Sequence, residues 1–241
     1  MRALRQTIAA LVVAAVLLAL GLTLYGLARQ RPQDLPWTPL DLGEKSGMFT
    51  GRKLAALGED FGQCRALLDK AGVVFTTLEP VASGQCGYRD GIRLGGGARR
   101  IAFAPARLGT SCPVAAGLTM LEWNVLQPAA RRHFGSPVVR IEHLGSYNCR
   151  RLYGRASGDW SEHARANAVD IAGFVLADGT RISVLRDWPD TGAKAAFLRE
   201  VRDGACGLFA TVLSPDYNAA HRDHFHLDQA ARGSMGWRAC R

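Results

Sequence analysis

The sequence predicts an α+β domain, in which helices pack on a small, mostly antiparallel sheet, behind an N-terminal transmembrane helix. Three observations indicate this arrangement. Residues 7–27 form an uncharged run rich in Ala, Leu and Val. Later in the chain, short apolar segments between turn signals alternate with longer segments of helical periodicity. The 241 residues also suffice for one domain with a buried core in addition to the anchor.

The apolar run is the first element. A helix of its length spans about 30 Å of hydrocarbon. Arginines flank the run on both sides, so the positive-inside rule does not orient it. The run is longer than a usual signal-peptide core, and only Gly26-Leu27-Ala28 offers a weak cleavage site. The sequence therefore favours an uncleaved anchor within residues 1–30, with a cleaved signal segment and a buried core helix as alternatives.

Residues 31–39 contain three prolines. Such a segment can be neither regular helix nor central strand. It is predicted to be an extended spacer that lifts the domain off the membrane. The folded domain is then expected to occupy residues 40–241.

Periodicity predicts the elements of this domain. Helical patterns, each closed by a glycine, lie over residues 63–71, 113–133 and 191–202. Strand patterns lie over residues 138–142, 169–176, 180–185 and 225–227. The Asp178-Gly179 pair joins the second and third of these strands into a predicted hairpin. Pro128 lies inside the second helix and can kink it.

The cysteines indicate the compartment. All six follow the apolar run, and they are Cys64, Cys86, Cys112, Cys149, Cys206 and Cys240. No Cys-x-x-Cys occurs, which argues against a cysteine zinc cluster. An even number of scattered cysteines behind a membrane segment predicts disulfides in an oxidising compartment, the alternative being reduced core cysteines. Of the fifteen possible pairings, we expect Cys206 with Cys240.

The charge argues about partners. The formal net charge is +9, and four of the arginines responsible flank the apolar run. Neither a nucleic-acid motif nor interleaved aromatic and basic residues are present, so no nucleic-acid partner is expected. An anionic membrane surface or wall polymer fits the excess instead. The glycine-rich stretch over residues 94–98 lacks the Lys-Ser/Thr of a phosphate loop and is predicted to be a turn.

Two polar clusters carry the chemistry: residues 161–170, with His163 and Asp170, and residues 221–226, with three histidines. A catalytic zinc takes three protein ligands, and imidazole nitrogen and carboxylate oxygen suit it. Ligands from a loop, the strand after it and a neighbouring strand can converge on one ion. His224 and His226 are two apart on a strand and share a face, so one can be a ligand and the other an acid or base.

These clusters resemble the motifs of known peptidases. The pattern Ser161-x-His163-x-x-Ala166-x-Ala168-x-Asp170 resembles the Ser-x-His-x-x-Gly-x-Ala-x-Asp motif of zinc D-Ala-D-Ala carboxypeptidases. The His-x-x-His-x-His of residues 221–226 resembles the second motif of that group and of the penicillin-insensitive murein endopeptidases, in the lysostaphin/D-Ala-D-Ala metallopeptidase fold group.

The resemblance implies one zinc ion and a role for each matching residue. Its ligands would be His163, Asp170 and His226. His224 would be the general base or acid, with His221 assisting. The Ser-x-x-x-Arg element of residues 146–150 resembles one that precedes the first motif in the carboxypeptidases. By that resemblance Arg150 would bind the substrate carboxylate or the developing oxyanion.

Residues 36–241 also resemble the bacterial extensin-like C-terminal domain family. The resemblance rests on the stretch 36–40, the cysteine framework, and the stretches 145–150 and 223–228. Two positions depart from the peptidase motifs. Ala166 replaces the usual Gly and is expected to crowd the loop between two ligands. Asp223 stands where some carboxypeptidases have Glu, so the catalytic base is either His224, which is favoured, or Asp223.

Three functions remain open. The first is a membrane-anchored zinc peptidase or amidase acting on peptidoglycan peptides, single-pass in the inner membrane with its domain in the periplasm. The second is a non-catalytic, zinc-containing module that binds the envelope. The third is a disulfide-stabilised structural protein without metal. Tyr147, Trp160 and Trp188 can line a cleft, but core packing is the favoured interpretation for each.

Overall fold

The computed structural model describes residues 2–95, 101–233 and 238–241, and it is an α+β fold as predicted. The α-helices are α1 Arg2–Gln30, α2 Thr50–Ala56, α3 Phe61–Lys70, α4 Cys112–Leu121, α5 Gln127–Phe134, α6 Val184–Asp187 and α7 Ala193–Ala205. The strands are β1 Phe75–Thr77, β2 Val81–Ser83, β3 Cys86–Tyr88, β4 Gly91–Leu94, β5 Ala102–Ala104, β6 Gly109–Ser111, β7 Val138–Gly145, β8 Ala168–Leu176, β9 Arg181–Ser183, β10 Thr211–Leu213, β11 Phe225–Asp228 and β12 Ala239–Cys240. Part of the predicted glycine-rich turn, residues 96–98, lies outside the described residues.

Helix α1 is long and apolar enough to cross a membrane. Its mean hydropathy is 2.6 over the most apolar window, and none of its residues is buried in the protein. The alternative of a buried core helix is therefore wrong. A membrane span and a signal sequence both remain compatible with this helix.

The segment 31–39 is not the extended spacer that its prolines suggested. Pro32–Asp34 form a 3-10 turn. The Gln33 side chain is buried, and its Nε2 donates to the Pro39 carbonyl at 3.2 Å. The ammonium of Lys53 in α2 donates to the Thr38 hydroxyl at 2.9 Å. These contacts hold the segment against the domain, because buried amide groups need hydrogen-bond partners.

The main sheet has seven strands in the order β12-β10-β11-β8-β7-β5, with β9 also paired to β8. It is mostly antiparallel, the exceptions being β5 with β7 and β10 with β12. Strand β7 covers one edge of β8. The other edge is shared by β11 near the start of β8 and by β9 near its end. Strand β9 ends at Ser183, where α6 begins, so the predicted second strand of the hairpin is shorter than expected.

Helices cover the sheet through an aromatic and aliphatic core. Every residue of α4 is buried. A π-helical turn, Glu122–Leu126, joins α4 to α5. Pro128 follows it and has no N–H to donate to the preceding turn, which accounts for the altered hydrogen bonding just before it. Phe174 of β8 packs edge-to-face on Phe197 of α7, with the ring centroids 5.4 Å apart.

All six cysteines form disulfides: Cys64–Cys112, Cys86–Cys149 and Cys206–Cys240. The predicted pairing of Cys206 with Cys240 is confirmed. It ties the end of α7 to β12. The Cys86–Cys149 bridge fastens the chain just after β7, on the approach to the first polar cluster.

Candidate metal centre

The structure brings His163, Asp170 and His226 together. His163 lies in a 3-10 turn, Glu162–Arg165, that leads into β8. Asp170 is on β8, and His226 is its direct cross-strand partner on β11. Nε2 of His163 is 3.1 Å from Nδ1 of His226 and 3.2 Å from Oδ2 of Asp170, and Nδ1 of His226 is 3.0 Å from Oδ1 of Asp170. A loop, a strand and its neighbour thus supply one potential ligand atom each.

A tight turn aims His163 at this point. The Ser161 hydroxyl accepts from the His163 N–H at 3.3 Å, which caps the turn. Ala166 ends it in the left-handed conformation, with φ +54°. A non-glycine residue at such a position costs about 1 kcal/mol, which explains why the motif resembled here has Gly. Ala166 is nevertheless accommodated, and the ligand atoms on either side of it still converge.

The outward-facing nitrogens of both histidines are held by acceptors. Nδ1 of His163 is 2.6 Å from the Ser146 carbonyl, so it carries the proton and donates. Nε2 of His226 is 3.1 Å from Oδ2 of the buried Asp228. These contacts turn Nε2 of His163 and Nδ1 of His226 toward Asp170, where a bound metal ion would replace the protons that these nitrogens share with the carboxylate. Outer contacts of this kind fix the tautomer and orientation of metal-binding histidines.

The cluster attracts a cation. Burial opposes ionisation of Asp170, but hydrogen bonds and charge from His163 and His226 prevail and lower its pKa. Burial likewise disfavours protonation of His226, but Asp170 and Asp228 outweigh it and raise its pKa to about 9. Two carboxylates around one imidazole therefore stabilise positive charge here, whether a proton or a metal ion supplies it.

The donor set and its dimensions fit a single metal ion. Two imidazole nitrogens and a carboxylate oxygen are a ligand set that zinc accepts with a fourth position left for water. Ligand atoms about 2.1 Å from a common tetrahedral centre lie roughly 3.4 Å apart. The three separations of 3.0 to 3.2 Å are close to that value. The geometry shows a possible three-residue metal site and does not choose the metal.

His224 lies next to Asp170 and approaches the same carboxylate oxygen as His226. Nε2 of His224 is 3.6 Å from Oδ1 of Asp170. Its Nδ1 is 2.8 Å from Oδ1 of Asp223, whose side chain is 45% exposed. Asp223 thus orients His224 and leaves the inward Nε2 free to exchange a proton.

His221 packs against the rings of His224 and His226. Its ring lies 5.2 Å from that of His224 and 5.9 Å from that of His226, centroid to centroid. Burial lowers the pKa of His221 to about 4, and the charges of His224, His226 and Arg150 act in the same direction. His221 is therefore neutral at pH 7, and its Nδ1 bonds the Asn218 amide oxygen at 2.8 Å. Arg150 lies near enough to act on His221 electrostatically, and its guanidinium has no ion-pair partner within the described ranges.

Sequence reasoning missed the groups that hold the ligands in place. Asp228 lies two residues after His226 on a strand, so the two side chains share a face. That spacing could have identified Asp228 as the partner of His226. The Ser146 carbonyl and the Asn218 amide leave no such signal. Trp188 is buried as predicted. Tyr147 is 37% exposed, so core packing was the wrong interpretation for it.

Comparison with known proteins gives the family. A family model described as Extensin-like protein C-terminus matches residues 62–241. The chain belongs to this family. The extensin-like region therefore contains every residue of the candidate metal centre and all three disulfides. No curated protein and no solved structure matches the chain.

Proposed function

We propose that this extensin-like protein is a membrane-anchored, zinc-dependent peptidase or amidase that cleaves peptidoglycan peptides. One observation carries the proposal: His163, Asp170 and His226 offer three ligand atoms within hydrogen-bond distance of one another, with both imidazoles fixed from outside. A zinc ion bound there would activate a water molecule and polarise an amide carbonyl. The resemblance to D-Ala-D-Ala carboxypeptidases supplies the substrate class.

The chain's own residues supply the remaining chemistry. His224 takes a proton through Nε2 and returns it to the leaving amine, while the Asp223 carboxylate stabilises the imidazolium. Arg150 binds the substrate carboxylate or the oxyanion of the tetrahedral intermediate. Asp223 is too exposed, and too closely bound to His224, to be the better base. We therefore assign proton transfer to His224 and orientation to Asp223.

The anchor and the disulfides favour an activity outside the cytoplasm. Helix α1 suits a single membrane span. Three disulfides suit an oxidising compartment. We propose an inner-membrane anchor with the domain in the periplasm, where peptidoglycan is within reach.

Digestion of purified peptidoglycan tests the proposal. The full chain in detergent is incubated, zinc-loaded or chelator-treated, with cross-linked and uncross-linked peptidoglycan, and the soluble fragments are analysed by mass spectrometry. We expect new peptide ends only with zinc, and none with His224→Ala. If the zinc-loaded protein releases no fragments from either substrate while binding it, the protein is a non-catalytic envelope-binding module and the proposal is wrong.

A further inference from the structure

The loop that follows β7, residues 146–160, is fastened next to the candidate metal centre by several contacts. The Cys86–Cys149 disulfide fastens its start. Its two arms meet where Arg151 pairs with Trp160, the guanidinium lying 4.4 Å from the ring centroid. The Leu152 N–H also donates to the Asp159 carbonyl at 3.0 Å. The Asn148 N–H donates to the carbonyl of the ligand His163 at 3.0 Å, which joins the loop to the centre.

The tip of this loop is strained and unburied. Tyr153 has φ +56° and ψ +21°, the left-handed conformation that a bulky residue rarely adopts, and Gly154 follows at φ +68°. Strain of this kind costs of order 1–3 kcal/mol and is typical of ligand clamps. Burial does not compensate for it, since Tyr153 is 53% exposed and Leu152 43%.

A second exposed tyrosine connects this tip to the metal centre. Tyr217 directly precedes Asn218 in the chain, and the Asn218 side chain contacts the tip of the loop. The Asn218 amide lies 3.4 Å from the Tyr153 hydroxyl and also binds His221. The Tyr217 ring packs on that of His221 at 5.5 Å, and His221 packs on His226. An exposed tyrosine pair therefore extends outward from the metal ligands.

Positively charged arginine side chains lie near Tyr153. The Arg155 guanidinium lies 5.6 Å from the ring centroid of Tyr153, and within the described ranges it has no acidic partner. Three arginines and no acidic residue occur in residues 150–155. A guanidinium presents a fixed fork of donors that matches a carboxylate. A ligand that stacks on the tyrosines would bring its carboxylate to these donors.

We infer that Tyr153, Tyr217 and Arg155 form a substrate-binding subsite that holds a carboxylate-bearing segment of an acidic peptide beside the metal centre. That this peptide is the wall peptide being cleaved rests on the proposed function. A substrate peptide whose amide is cut at the metal centre extends beyond that centre, and its remaining residues would lie on the neighbouring surface. Unpaired arginine at the end of an exposed aromatic surface suits a peptide with free carboxyl groups.

Binding measurements on the full chain in detergent test the subsite. All proteins carry His224→Ala and zinc, so that bound ligand is not consumed. The probes are fluorescent peptides released from peptidoglycan, either with free carboxylates or converted to methylamides, and binding is followed by anisotropy. Arg155→Ala should weaken binding of the free-carboxylate peptide about ten-fold and that of the methylamide peptide by less than about two-fold.

Tyr153→Ala should weaken binding of both peptides, while Tyr153→Phe, which keeps the ring, should retain most of the affinity. The matched control is Arg140→Ala. Arg140 is exposed on β7, five residues before Gly145 and hence about 17 Å away along the strand. The Arg140→Ala variant should bind both peptides with the same affinity as the background protein. Thermal unfolding of each variant identifies any loss of fold, and Tyr153→Phe and Arg155→Lys serve where the alanine variant unfolds.

The subsite would be overturned by variant affinities indistinguishable from that of Arg140→Ala, or by equal losses with Arg155→Ala for both peptides. Peptide-free glycan strands whose binding depends equally on Tyr153 would also contradict the assignment to an acidic peptide. Hydrolysis is assayed separately with His224 restored. If Arg155-dependent binding occurs without hydrolysis, the peptidase proposal fails and the subsite stands. If hydrolysis occurs and its KM is unchanged by Arg155→Ala, the peptidase proposal stands and the subsite proposal fails.

Discussion

The two sides of Asp170 are held in place by different means. On one side, His163 and His226 are fixed by a capped turn, by strand register and by outward bonds to the Ser146 carbonyl and Asp228. On the other side, His224 depends on a turn and on the half-exposed Asp223. The proposed ligands are thus held by the sheet and the turn before it, whereas the proposed proton-transfer residue is held by a neighbouring turn. Metal binding and catalysis should therefore be separable by mutation.

The largest expected effect is on metal affinity, with Asp170→Asn. The variant keeps the side-chain volume but removes the charge that links both histidines. Zinc affinity should fall by more than the roughly 10–100-fold that loss of an outer contact causes. Competition with a chromogenic chelator measures it. Glu200→Gln is the matched control, because Glu200 also contacts a histidine, His133, at 2.9 Å but belongs to no three-residue ligand group in the part of the chain that the structure describes.

The other side of Asp170 should behave in the opposite way. His224→Ala should bind zinc nearly as tightly as the wild type does, because the three proposed ligands keep their contacts with one another and their outward hydrogen bonds. The rate of peptide hydrolysis should fall by about 10²-fold or more, the usual contribution of a general base. Zinc content and steady-state rates on a wall peptide check the two halves. An unchanged rate with zinc bound would transfer the base role to Asp223.

Asp228→Asn probes the outer contact of the ligand side. The amide can still reach Nε2 of His226, but it no longer fixes the tautomer that leaves Nδ1 free. We expect zinc affinity to fall about 10–100-fold, less than with Asp170→Asn, and the fold to survive. The same chelator competition provides the measurement. Affinity equal to that of the wild type would mean that strand register alone orients His226.

The smallest effect concerns the histidine–carboxylate contact outside the centre. Burial disfavours ionised Glu200, but hydrogen bonds from His133 and Arg132 outweigh it and lower its pKa. A carboxyl with a lowered pKa stabilises the folded state above its unfolded pKa, and this stability is lost as the pH falls through the folded pKa. Glu200→Gln should cost about 1 kcal/mol or less at neutral pH, and the difference should disappear in acid. Urea unfolding at several pH values measures it.

The sequence predicted which three side chains come together, because their positions follow from simple rules. Cross-strand pairing and a loop next to a strand are enough to bring His163, Asp170 and His226 together. The three predicted helices differ from the structure only in detail. The second of them, for example, changes to π-helical hydrogen bonding before Pro128. Periodicity carries no information on such local changes.

The packing of residues 31–39 and the position of the loop tip at Tyr153 depend on tertiary contacts that leave little trace in a single sequence. The prolines of residues 31–39 suggested an extended spacer, but Gln33 is held by Phe49 and Lys53, sixteen and twenty residues further along the chain. Tyr153 reaches the Asn218 side chain from a loop whose start is fastened by the Cys86–Cys149 disulfide. Neither pairing has a spacing or a motif that would predict it.

The most direct test of the central claim is zinc K-edge X-ray absorption on the purified full chain. A site formed by His163, Asp170 and His226 predicts one zinc per chain, surrounded by nitrogen and oxygen at about 2.0–2.2 Å with imidazole scattering. Sulfur is not expected, because all six cysteines are in disulfides. A sulfur shell at about 2.3 Å, or a spectrum unchanged by Asp170→Asn, would contradict the site.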